Sequence, residues 1–281
     1  MRTACLIVLM APAAVFAEPA SSPPSSDFVV MDRMDGTSKA GLDVSYLFPN
    51  NTGNNSITAL RFDAHGEYVL PTGIGGYVQL PITYVHASST GNPSTSSTGI
   101  GDLELGILYA TKASSSGLSG VFHAGLTVPT GSTGLDSAVA NLVGAFMRLT
   151  DFYQSIPQGT SIRLAASPLL RSGQVFARAD IGIDANFDAD NNTADTFGRF
   201  NLGVGVDLGG VSLMGELINL RDMTFKGSGG TGASWINAGA VSVRFNAGGA
   251  RPYGALTFPL DDDSHELMNA VLTVGIETSL R

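Results

Sequence analysis

The 281-residue chain reads as all-β: a transmembrane antiparallel β-barrel of about 12 strands, with a short helix or folded loop inserted near 130–159. Three observations predict this class. Apolar and charged residues alternate with period two along most of the chain, so successive side chains point to opposite faces of a sheet. Charged residues are few, at 14%, and the mean hydropathy is +0.18, yet past the first 17 residues no run reaches the ~20 apolar residues that a spanning helix requires. The alternating segments are roughly 9 to 14 residues long, enough for a tilted spanning strand of about 9 to 11.

The chain opens with Arg2, an apolar run from Ala4 to Phe16, and the small-residue end Val15-Phe16-Ala17 ahead of Glu18. Residues 1–17 therefore read as a signal peptide cleaved after Ala17, and Pro12 argues against a retained anchor helix. Cleavage would remove Cys5, the single cysteine, so no disulfide is expected in the exported protein. Residues 18–38, rich in Ser and Pro, are expected to form a flexible N-terminal segment. Residues 39–281 are expected to form the barrel. The net charge of -9 makes nucleic acid an unsuitable partner.

Candidate strands fall at 40–48, 57–70, 75–86, 99–111, 119–129, 160–170, 174–186, 197–208, 210–221, 234–246, 250–260 and 268–279. Short connections at 71–74, 112–118, 172–173, 209–210 and 247–249 alternate with longer polar ones at 49–56, 87–98, 187–196, 222–233 and 261–267. An even strand number then leaves both termini on the short-turn side. Between Ser137 and Thr150, Val139, Leu142, Val143, Phe146 and Leu149 recur at helical spacing, with Ser137 placed to cap. A strand through Leu142 and Phe146 is the alternative, and it breaks the alternation of connections.

Each strand has two unlike faces. Leu103, Leu105, Ile107 and Tyr109 oppose Asp102, Glu104 and Gly106; Leu60, Phe62, Ala64 and Tyr68 oppose Arg61, Asp63, His65 and Glu67. Val175, Ala177, Ala179, Ile181 and Ile183 oppose Arg178, Asp180 and Asp184. Phe200, Leu202, Val204, Val206 and Leu208 oppose Arg199, Asn201 and Asp207, and Leu272, Val274 and Ile276 oppose Thr273 and Glu277. An Arg or Lys facing the bilayer midplane costs roughly 2–4 kcal/mol, so the charged faces are assigned to the lumen. The lumen candidates are Arg61, Asp63, Glu67, Asp102, Glu104, Arg163, Arg178, Asp180, Arg199, Asp207, Glu216, Arg251 and Glu277. Two roles stay open for them: a ladder that screens a permeant, or a paired network that satisfies a polar interior. Tyr46, Phe48, Tyr84, Tyr109, Trp235 and Phe258 lie near strand ends on the apolar parity, as interfacial girdles do.

The run Thr98-Gly-Ile-Gly-Asp-Leu-Glu-Leu-Gly-Ile-Leu-Tyr109, followed one hairpin later by Ala124-Gly-Leu-Thr-Val-Pro-Thr-Gly131, resembles the outer-membrane β-barrels named for the MetA pathway of phenol degradation. The resemblance implies a bacterial outer-membrane channel or transporter, for passive uptake or efflux of a small molecule of aromatic or hydrophobic character. The implied partners are outer-membrane lipids, that permeant and the outer-membrane assembly machinery. One departure is the C-terminus: such barrels commonly end on an aromatic residue, whereas this chain ends Thr-Ser-Leu-Arg281, with Leu280 on the apolar parity.

No catalytic residue, metal site or cofactor is expected. His86-Ala-Ser88 is similar to the His-x-Ser pair of outer-membrane lipid A deacylases, but it lacks an identifiable orienting acid. Asp184, Asp188, Asp190 and Asp195, with Asn191 and Asn192, read as one acidic loop in which Thr193 stands where a calcium loop requires glycine. An outer-membrane lipid-modifying enzyme and a closed structural barrel are the alternatives to a channel. If the lumen is open, its acidic excess implies a modest cation preference.

Overall fold

Strand β1 (Lys39–Pro49) pairs antiparallel with both β2 (Asn55–Val69) and β13 (Met268–Ser279), so the sheet closes on itself. The computed structural model describes residues 28–50, 55–89, 91, 93–155, 159–188, 193–224 and 235–280. The expected signal peptide, with residues 18–27, lies outside the described residues. Between β2 and β13 run β3 (Ile74–Ser89), β4 (Thr95–Ile100), β5 (Leu103–Ala110), β6 (Leu118–Val128), β7 (Thr160–Ser172), β8 (Val175–Asp188), β9 (Thr193–Asp207), β10 (Val211–Asp222), β11 (Trp235–Phe245) and β12 (Ala250–Pro259), each antiparallel to its neighbours. Both β4 and β5 pair with β3, making them two halves of one stave. The result is a closed twelve-stave barrel with one extra strand. None of its described helices is long and apolar enough to cross a membrane.

The stave split corrects the single strand expected at 99–111. At the break, the Gly101 N–H donates to the Pro81 carbonyl at 2.9 Å, and the Asp102 N–H donates to the Gln154 carbonyl at 2.6 Å. A Cβ on Gly101 would lie 2.5 Å from that Gln154 oxygen and 2.6 Å from Pro81 Cγ, so the crossing needs a glycine. The acidic loop expected around 184–195 is corrected as well. Asp184 lies inside β8 and Asp195 inside β9, because the alternating pattern runs on past the point where charge density implied a loop. Asp190, Asn191 and Asn192 lie outside the described residues.

The short turns need backbone freedom at one end of the barrel. Gly117 (φ +80°) is an example: a Cβ there would overlap the Arg171 carbonyl. The outer face is apolar on every stave, from Leu42 in β1 through Leu105, Leu164 and Leu202 to Val274 in β13, with Ile107 69% exposed. The expected inward set is buried in turn, Asp102, Glu104 and Asp180 completely. Strand β10 departs from this pattern. Its outward face carries Leu213, while Met214, Ile218 and Leu220 are buried inside with Ala238, Ala240 and Ala255, giving the lumen one apolar side.

The 130–159 insertion folds as helix α1 (Leu135–Met147) and a 3-10 segment (Leu149–Ser155). Helix α1 starts at Gly134 rather than under a Ser137 cap, and no side chain caps it. Its buried residues are Ala140, Asn141, Gly144, Ala145 and Met147, whereas Val139 and Leu142, two of the residues that recur at helical spacing, are about half exposed at 51% and 52%. The helix comes closest to β3 at Gly144, where a Cβ would overlap the Thr83 hydroxyl, so that position needs a glycine. A second helix, α2 (Asp262–Leu267), is capped by the Asp261 side chain, which accepts from the Ser264 N–H at 2.8 Å.

Candidate functional site

The lumen is filled by two segments that the sequence placed elsewhere. Residues 28–34, expected to be part of a flexible entry segment, are buried inside the barrel. The 3-10 segment dips in from the other end, and Leu149, Thr150, Asp151, Gln154 and Ser155 are buried with them. A disordered segment lacks apolar residues to bury. The run Phe28-Val-Val-Met31 supplies them, and that was the available signal.

Arg33 ties three elements together. Its guanidinium donates to Asp43 of β1 at 2.6 Å and to Asp151 of the 3-10 segment, and stands 3.6 Å from Asp63 of β2. Asp151 also accepts from Arg148 Nε at 2.6 Å and from Arg163 Nη1 at 3.2 Å. Asp32 meets His123 Nε2 at 2.9 Å and Arg199 Nη1 at 3.1 Å. Apolar contacts complete the seat. Phe28 packs edge-on to Phe176 with centroids 5.4 Å apart, and Met34 joins Tyr77, Leu108 and Val121. Toward the long-loop end, Tyr153 and Phe197 pack edge-on at 5.1 Å beside Phe152.

All the lumen candidates are buried on the inner face. Arg61 chelates Asp63 at 2.7–3.0 Å and donates to the Gly144 carbonyl at 2.6 Å. Glu104 accepts from Tyr77, Gln79 and Gln154 at 2.7, 3.1 and 2.8 Å. Arg163 and Arg199 flank Asp184 at 3.3 and 2.8 Å. Arg178 pairs with Asp180 at 2.7 Å, and Glu277 meets Arg251 at 3.2 Å and His65 at 3.3 Å. Asp207 lies 3.6 Å from Arg171 near the short turns, and Asp102 accepts from the Gly131 N–H at 2.6 Å. Glu67 and Glu216 hold the backbone of the N-terminal segment. Sequence reasoning missed Asp32, Arg33, Asp43, Arg148, Asp151 and Arg244. The first two lay in the presumed flexible segment, and Arg148 and Asp151 in the insertion.

Burial alone would raise the carboxyl pKa of Asp32 and of Asp151. For Asp32 the charges of His123 and Arg199, and for Asp151 those of Arg148, Arg33 and Arg163, outweigh burial and hold each well below the ordinary carboxylate range. A depressed native pKa gives stability that is present above the unfolded value, ~3.9, and lost as pH falls toward the native one. Asp32 leaves its partners on undocking and regains an ordinary carboxyl, so docking of residues 28–38 is expected to hold from neutral pH down to about 4 and to weaken below it. The readout is amide exchange at Val30 and Met31, corrected for its intrinsic pH dependence. Constant protection through the acid range would contradict the assignment.

His86 Nδ1 hydrogen-bonds the Ser96 hydroxyl at 2.8 Å, across the β3–β4 hairpin, rather than Ser88. His86 is thus bonded away from Ser88, the partner that the alternative, enzymatic reading would need.

No protein-family model matches the chain, and no curated protein does. Among solved structures, an outer-membrane channel from Pseudomonas putida F1 superposes with a TM-score of 0.60 at 14% identity, over 93% of this chain and 100% of that one. The porin NanC superposes with a TM-score of 0.52 at 10% identity, over 85% of this chain and 100% of its own. At such identities the likeness establishes the barrel fold alone.

Proposed function

We propose that the chain is a channel of the bacterial outer membrane, closed at rest by its own residues 28–38 and opened when that segment leaves the lumen. The observation that carries this reading is the way the lumen is filled. The N-terminal segment continues into β1 at Lys39 and belongs to no strand, so it can withdraw without unpairing a stave. The α1 insertion is held at both ends, between β6 and β7, and stays as a fixed constriction.

Lipid placement is supported by the unbroken apolar outer face. If that face meets acyl chains, Leu202→Arg is expected to cost ~2–4 kcal/mol in refolding titrations into lipid vesicles. A secreted soluble protein would lose little from a charge at this 41%-exposed position, and an unchanged stability would argue for that instead.

With residues 28–38 displaced, the apolar side formed by Met214, Ile218, Ala238, Ala240 and Ala255 faces the charged network on the opposite wall. That lining favours a small permeant with an aromatic or hydrophobic body and a polar group, in line with the family that the sequence resembles. Carboxylates outnumber cations among the described buried side chains, which supports a modest cation preference. The two roles open for the inward charges then belong to two states: a paired network at rest, and a screen when open. Single-channel recording is the test. Small cation-preferring currents that grow when the N-terminal segment is unseated are expected. A barrel that stays sealed with the segment demonstrably undocked would leave only a closed structural role.

A further inference from the structure

The lumen grips residues 29–36 largely by their main chain. The N–H groups of Val29, Val30 and Met31 all donate to the carboxylate of Glu216, at 3.1, 2.8 and 2.9 Å. The Asp32 N–H donates to Asp180 at 2.9 Å, and the Gly36 N–H to Glu67 at 2.8 Å. The carbonyls are taken in the same way. Arg148 donates to Val29 and Met31 at 2.8 and 3.0 Å, Thr150 to Val30 at 3.1 Å, Lys39 to Arg33 at 2.7 Å, and Arg178 to Met34 at 3.0 Å.

Contacts of this kind do not depend on which side chain the peptide carries. When a peptide is added to a sheet edge, backbone bonds give affinity and side-chain pockets give preference. In this lumen the preference comes from the apolar side, where Phe28 to Met31 lie against Phe176, Met214 and Ile218.

We infer that the lumen is a binding site for short extended peptides with apolar side chains, and that residues 28–36 are its resident occupant, which such a peptide replaces. The inference deepens the channel reading and rests on it in one respect, that peptides are then a class of permeant; binding itself is measured separately. A tethered occupant competes at an effective concentration in the millimolar range, so an outside peptide gains most when the tether's own anchor, Arg33, is weakened.

The test uses the full chain with Arg33→Met in detergent, titrated by calorimetry with the peptide Phe-Val-Val-Met-Asp-Arg-Met-Asp-Gly. The comparison is the same peptide N-methylated at the residues matching Val29, Val30 and Met31, which keeps every side chain and removes the donors to Glu216. The unmodified peptide is expected to bind at least tenfold more tightly, and Glu216→Gln in the same background to shrink that ratio. Equal affinities, or no binding of the unmodified peptide at millimolar concentration, would overturn the inference. Should the Arg33 variant not fold, the wild-type chain serves: excess unmodified peptide, and not the methylated one, is expected to raise amide exchange at Val29 to Met31. In planar bilayers the unmodified peptide is expected to block the current of the unseated channel. A barrel that binds the peptide but never conducts would sink the channel reading and leave the peptide site standing.

Discussion

Arg33→Met is expected to unseat the N-terminal segment and produce the largest rise in conductance of any single charge change in the lumen. Arg33 is the one guanidinium on the movable segment, and it meets Asp43 on β1 and Asp151 on the 3-10 segment. Removing one partner from a buried ionic cluster costs about 3–5 kcal/mol, because the charges left behind are desolvated and under-compensated. Asp151 keeps Arg148 and Arg163 and Asp63 keeps Arg61, while Asp43 keeps the Tyr253 hydroxyl, so the expected loss is at least the low end of that range. A loss of ~3 kcal/mol is more than a hundredfold in the docking equilibrium, enough to turn a segment that is almost always docked into one that is mostly free. Open events in single-channel records should rise by the same order. Amide protection should be lost at Val29 to Asp32 and kept in β7 to β9. Arg33→Lys retains one charge without the fork and should fall between the two. Protection of Val30 and Met31 that survives the Met substitution would show that Arg33 does not hold the segment.

The barrel was legible because a sheet with lipid on one side and charge on the other writes its parity into every strand. Ile107 and Val204 outside, with Asp102 and Glu104 inside, follow from period two alone. Some ion pairs were legible too. Arg61 and Asp63 are two apart on one strand and share a face, and so are Arg178 and Asp180. What the sequence concealed depends on contacts between distant parts of the chain. The break between β4 and β5 exists because a carbonyl of Gln154, about fifty residues away, enters beside Gly101. The pairs Arg163–Asp184 and Arg251–Glu277 need the register of neighbouring strands. The apolar inner face of β10 was hidden for a different reason. Met214, Ile218 and Leu220 share the inward parity of Glu216, but they alternate with Leu213 and Leu217, so the strand is apolar on both sides and Glu216 alone marks its lumen face. Its inner face makes sense only once Phe28 to Met31 are placed against it.

A steric route to the same open state separates gating from general loosening of the barrel. Gly203 faces the lumen from the middle of β9, and a Cβ there would lie 2.5 Å from Phe28 Cε1 and 2.6 Å from Met31 Sδ. Phe28 has no room to retreat, since its ring already lies against Phe176, and Met31 is fully buried. Gly203→Val should therefore expel Phe28 and Met31 from their seat while leaving every ion pair of the wall intact. The wall itself should not suffer, because valine suits a strand better than glycine, by up to about 1 kcal/mol. The expected result is a conductance rise comparable to that of Arg33→Met, with the heat-induced gel-mobility transition of the barrel unchanged or moved upward. Combining the two substitutions then discriminates the causes. If both act by freeing one segment, the second adds little once the segment is already out, and the pair is strongly sub-additive. If Arg33→Met instead raised conductance by weakening the wall, the effects would add and the transition temperature would drop in the Arg33 variant alone. A Gly203→Val protein with unchanged currents and full protection at Met31 would mean that Phe28 and Met31 find another seat inside the lumen, and that the glycine is not what admits them.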